Sequence, residues 1–158
     1  MSKDKKLAAL RKTLEAEERE AVLEKSRVDL IVDVRQMLVD DLLAKLNEKK
    51  GRYKDYADKK IPEALKNNDS RRAASLKTYL QRLRKELSAA EQLLYSKQKD
   101  LEVAVERATI VAEELLNARV EKRKIEKLLE KRSHSEKLLS AAKEEVSIDE
   151  LLSSRRRK

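Results

Sequence analysis

The chain has 158 residues, of which 44% are charged, with a single Gly, a single Pro, no Cys, no Phe and no Trp. Turns normally rest on Gly and Pro, so few turns and long elements are expected, and without Cys neither a disulfide nor a thiolate metal site is available. Disorder is the other usual outcome of so much charge, but disordered chains lack a sustained apolar stripe, and this chain has one.

The first helix is predicted over 1–60, with Ser2 or Asp4 as its cap. Its apolar stripe reads Leu7, Leu10, Leu14, Glu17, Ala21, Glu24, Val28, Ile31, Arg35, Leu38 and Leu42. A longer step to Leu46 then leads to Tyr53 and Tyr56, a stutter that would relax the supercoil locally. The segment Val28 to Leu43 is also apolar off this stripe, at Leu30, Val32, Val34, Met37, Val39 and Leu43. Either a third surface covers that excess or the helix tolerates it. Gly51 falls inside the helix, which a long packed helix absorbs at a cost of about 1 kcal/mol.

The turn is predicted over 61–69. Pro62 disfavours helical backbone at Ile61. Pro62 to Lys66 could form one isolated helical turn, and Asn67, Asn68 and Asp69 are turn formers. Asp69 or Ser70 then caps a second helix over 70–146. Two helices joined by so short a connection lie antiparallel.

The second helix carries the stronger stripe. It runs Leu76, Leu80, Leu83, Leu87, Ala90, Leu94, Lys97, Leu101, Ala104, Ala108, Val111, Leu115, Ala118, Lys122, Ile125 and Leu129 without a slip. Steps of four and three average 3.5 residues, the repeat of a left-handed coiled coil. So narrow a stripe faces one other helix rather than a broad core. The expected fold is therefore all-α, a single domain of two long helices in an antiparallel coiled-coil hairpin, the second helix longer. With the fold centred near Leu65, Lys3 would face about Lys127. Leu128, Leu129, Leu138 and Leu139 would then lie on an overhang with no partner inside the hairpin. A basic tail, 147–158, follows.

The net charge of +9 is concentrated. Residues 45–85 hold fourteen basic and five acidic side chains, whereas 1–44 and 86–154 are slightly acidic. The turn end should thus attract an acidic partner. Nucleic acid is the rival partner, but no groove-reading motif or block of basic residues like that of a bZIP protein is present. No catalytic constellation is found. His134 is the one His, and its neighbours Ser133 and Ser135 point away from it on a helix. One Gly cannot build a phosphate loop. A non-enzyme without cofactor or metal is expected. A polar start at Met1 to Lys6, no apolar run of membrane-spanning length and no Cys point to a cytoplasmic protein.

The run from Ala118 to Arg132, with its Glu126–Lys–Leu–Leu–Glu–Lys–Arg132 core, followed by Glu144, Glu145 and Ile148–Asp149–Glu150, resembles the FliJ family of flagellar export proteins. The injectisome counterparts, the YscO family, share that plan. The resemblance implies a central stalk, similar in fold to the rotor subunit of rotary ATPases. Such a stalk would insert into a hexameric export ATPase, reach toward the membrane export gate, and escort export chaperones at the inner membrane. From placement along the hairpin, Leu128, Leu129, Leu138 and Leu139 are candidates for the ATPase ring end. Arg71, Arg72, Arg82 and Arg84 are candidates for the gate end. A basic coiled-coil adaptor for nucleic acid and a purely structural coiled coil are the alternatives.

Overall fold

The computed structural model describes residues 2–156, all in helix apart from Ser2 and the turn at 67–69. Helix α1 runs Lys3–Asp55, passes into a π-helical turn at Tyr56–Lys60, and continues as α2, Ile61–Lys66. Helix α3 runs Ser70–Arg156. The second helix thus extends about a further three turns past residue 146, through most of the stretch predicted as a tail. Arg157 and Lys158 lie outside the described residues. No described helix is long and apolar enough to cross a membrane.

Among the described residues the contacts divide into two compact units, one formed by 2–25 with 111–156 and the other by 26–110. In each, two helices run antiparallel. In the first, Asp4 meets Arg132 and Glu18 meets Lys122, so numbering rises along one helix as it falls along the other. In the second, the turn connects the helices, and Arg35 donates to the Asp100 carbonyl at 2.8 Å. This is the helical hairpin expected from the 3.5-residue repeat.

Every position of the α3 stripe from Leu76 to Leu129 is buried or half-buried. Leu83, Leu94, Ala104, Val111 and Leu115 are its buried members, Val111 fully so. In the unit 26–110, Val39, Leu46 and Leu94 form a core, flanked by Leu42, Leu87, Ala90 and Leu101.

On α1 three of the eleven predicted stripe positions are displaced by one residue. Leu7, Leu14, Ala21, Glu24, Val28, Arg35 and Leu42 are buried or half-buried as expected. Between them, however, come Glu18, Val32 and Val39, not Glu17, Ile31 and Leu38, and Leu10 is exposed. The seam then reads 39, 42, 46, 49, 53 and 56 at unbroken steps of three and four, so the structure has no stutter at Leu46. At the steps 31/32 and 38/39 the cause is the doubly apolar stretch from Val28 to Leu43. At each contested step both neighbours are apolar there, so hydrophobicity does not choose between them.

The slip that does occur lies at the π turn. The Ile61 N–H donates to the Tyr56 carbonyl, five residues back. A π turn holds one extra residue, and the seam moves by the same amount, to Ile61 and Ala64 instead of 60 and 63. Pro62 has no N–H and its ring would clash with the carbonyl four residues earlier in a regular α-helix. Widening the preceding turn accommodates it, so the helix continues where a stop was predicted.

The reversal itself is a Schellman motif. The Asp69 N–H donates to Ala64 O at 3.0 Å and the Asn68 N–H to Leu65 O at 3.2 Å. Asn68 takes the left-handed backbone, φ 54°, a role usually filled by Gly. The Asp69 carboxylate then accepts from the Arg72 N–H at 3.1 Å, capping α3. At the other end, Ser2 Oγ accepts from the Lys5 N–H at 3.3 Å and caps α1. Gly51 is plain helix, and a methyl group there would touch nothing.

Two adjacent leucines test the seam. Leu94 is 7% exposed and Leu93 is 47% exposed. Leu94→Ala should cost about 2–4 kcal/mol and Leu93→Ala less than about 0.5 kcal/mol, read by denaturant unfolding monitored at 222 nm. At the turn, Asn68→Gly should be neutral or slightly stabilising. Asn68→Val should cost roughly 1–2 kcal/mol, because a β-branched residue resists positive φ.

Candidate functional site

Two surfaces carry the residues singled out from the sequence. One is the turn end of the 26–110 unit, where the basic segments on either side of the reversal come together. The Tyr56 and Tyr79 rings sit 4.9 Å apart, tilted by 55°. The Lys60 ammonium lies 4.3 Å from the Tyr56 ring centre, and the Arg82 guanidinium 5.4 Å from that of Tyr79. Tyr rings attract cations through their negative faces, so the pair closes the seam and holds two cations near it. Tyr53, Tyr56 and Tyr79 are half-buried, so they are packing groups.

Acidic side chains compensate only part of this end. Asp55 lies 4.0 Å from both Lys59 and Lys60, Glu48 pairs with Arg52 at 2.7 Å, and Lys50 reaches Glu91 at 3.9 Å. Arg71, Arg72, Arg82 and Arg84 are all exposed, and among the described residues none has a carboxylate within ion-pair range. Arg71 and Arg72 stand in the first turn of α3, where the helix dipole disfavours cations. An anionic ligand there would relieve both like-charge repulsion and the dipole.

The other surface is the end of the unit formed by 2–25 and 111–156. Here the expected overhang changes. Asp4, not Lys3, marks the facing pair, and it meets Arg132 at 2.8 Å. Leu129 is half-buried, and Leu128 borders a surface groove with Lys3, Lys6, Leu7 and Leu10. Neither belongs to the unpaired segment. Residues 133–155 are all exposed, and Leu138, Leu139, Val146, Ile148, Leu151 and Leu152 project from them. His134 is exposed as well.

The charges that define this end were not apparent from the stripes. Glu18 and Lys122 face each other in the seam at 3.0 Å, with Arg119 at 3.5 Å from the same carboxylate. The hydrogen bond from Lys122 lowers the Glu18 pKa, and the same bond raises that of Lys122. Asp4 is lowered chiefly by its hydrogen bond from Arg132. Glu136 is raised, chiefly by its hydrogen bond with Asp4. Sequence could have suggested the first pair, since Lys122 interrupts an apolar stripe and needs a carboxylate opposite it.

No protein-family model, curated protein or solved structure matches the chain.

The seam pair gives a pH prediction. A lowered carboxylate pKa contributes stability that is present above the unfolded value, about 4.3 for Glu, and lost as pH falls through the folded value. Glu18→Gln should therefore flatten the acid limb of the thermal midpoint between about pH 5 and pH 3. Glu136 works with the opposite sign, and its contribution fades as pH rises through its folded value. Glu136→Gln should leave the acid limb as steep as in the parent or steeper.

Proposed function

We propose that the chain is a non-catalytic central stalk of a type III protein export apparatus, flagellar or injectisome. In this reading the exposed end of α3 enters a hexameric export ATPase and promotes its assembly. The basic turn end steers onto an acidic surface of the export gate, at the cytoplasmic face of the inner membrane, and export chaperones are further partners. The observation that carries the proposal is the apolar extension of α3 beyond Arg132. A solvated helix has no use for six large apolar side chains at residues 138–152, all of them exposed. This extension overlaps the 118–150 stretch that resembles the FliJ family. Leu138 and Leu139 are the ring contacts in this proposal, with Leu128 and Leu129 at the root of the extension. Arg71, Arg72, Arg82 and Arg84 are the gate contacts.

The uncompensated arginines beside the turn favour a second reading, a basic adaptor for nucleic acid. Binding of that kind weakens steeply with salt, because condensed counterions are released.

Addition of the purified chain to a cognate export ATPase should raise hexamerisation and turnover. Leu138→Asp with Leu139→Asp should abolish that effect while helicity is kept. Arg71→Glu with Arg72→Glu should leave ATPase stimulation intact and lower affinity for the gate's cytoplasmic domain by roughly tenfold or more. If the parent chain binds the ATPase yet changes neither its assembly nor its turnover, the stalk reading is wrong. A salt-sensitive gel shift that disappears in the Arg71→Glu, Arg72→Glu variant would favour the adaptor instead.

A further inference from the structure

A two-helix seam uses two positions of each helix per heptad, and on α1 a second set remains. Arg27, Leu30, Val34, Met37 and Asp41 recur at steps of three and four. This is the spacing of the buried seam, carried around to the outside of the helix. Leu30, Val34 and Met37 are 63%, 58% and 70% exposed, and the neighbouring Ile31 and Leu38 are 44% and 41% exposed. All lie in the 26–110 unit. The outer positions of α3 show no such stripe, since Val103 and Ile110 alternate there with Lys99, Glu106 and Glu113. A helix with two apolar stripes at 3.5-residue spacing has the pattern of one with two partner helices.

The second stripe is also a palindrome. Counted outward from Val34, Ile31 matches Met37, Leu30 matches Leu38, and Arg27 matches Asp41. Self-complementarity of this kind is what an isologous interface requires, because residue i meets j while j meets i. The end charges set the direction. Two antiparallel copies place each Arg27 against the other's Asp41, whereas parallel copies would set like against like. Arg27 already interacts within its own chain, and the five donors of a guanidinium leave room for this contact beside that one. Asp41 has Lys45 of its own helix at 3.0 Å, yet its side chain remains 58% exposed. A carboxylate has room for several donors.

We propose that this outer face of α1 binds a second copy of the same chain, antiparallel, about a two-fold axis at Val34. The contact buries Leu30, Ile31, Val34, Met37 and Leu38 of both copies and is closed at each end by an Arg27–Asp41 pair. It needs nothing from the export reading and stands or falls separately.

Sedimentation equilibrium of the full chain should give a monomer–dimer equilibrium. Val34→Asp sets two carboxylates against each other at the axis and should weaken association by roughly a hundredfold. Because Val34 is exposed in one copy, circular dichroism should be unchanged. Asp41→Arg should weaken the dimer, and Arg27→Asp added to it should restore association. The chain has no Cys, so Val34→Cys should cross-link to a covalent dimer under mild oxidation. Glu102→Cys, exposed on α3, should not. A chain that stays monomeric at all concentrations would falsify the proposal. So would a dimer that is indifferent to Val34→Asp and leaves Val34→Cys uncoupled.

Discussion

Two helices lying side by side share one dry line, and each reaches it at only two positions in seven. That constraint governs most of what the chain does with its residues. It explains why a sequence so rich in charge can fold, since five positions in seven are left to water. It also makes each seam position consequential. The seam admits some charges by pairing them: Glu18 and Lys122 face each other across it, while Lys97 turns to Asp100 of its own helix at 3.8 Å. Arg35 solves the same problem differently, by donating to a main-chain carbonyl of the facing helix.

The turn is shaped by the same line. Ile61, Ala64 and Ala73 are buried there, so the seam continues up to the reversal. Pro62 threatens this continuity, and the π turn before it restores the facing by taking in one more residue. Asn68 then supplies the left-handed step that reverses the chain, so its single Gly is not needed at the turn. The basic residues on either side are brought together as a consequence of the reversal.

Exposed apolar side chains occur along both helices, and two concentrations of them differ in kind. On α3 beyond residue 132, large apolar side chains project where the facing helix has ended. On α1 between Arg27 and Asp41, they form a second ordered stripe on a helix that already has a partner. The first is surface left over by unequal helix lengths, suited to a partner that encloses a helix end. The second has its own period and symmetry, suited to another helix of the same sequence.

Composition and periodicity were sufficient for the all-helical class, for the antiparallel pairing and for the whole α3 stripe, because its 3.5-residue repeat runs from Leu76 to Leu129 without a slip, even where Leu93, Val103, Ile110, Leu116 and Leu128 stand beside a seam position. They were insufficient for α1. From Val28 to Leu43 apolar residues stand on both sides of each step, and only contact with the facing helix selects Val32 and Val39 over Ile31 and Leu38. The extent of pairing was likewise illegible. Only the contacts of the folded chain show that Asp4 meets Arg132 and that Leu129 is half-buried. What the sequence alone determined is that two helices pair. The tertiary structure decided which faces they present and where the pairing ends, because a helix's own residues set its period, whereas only its partner sets its phase.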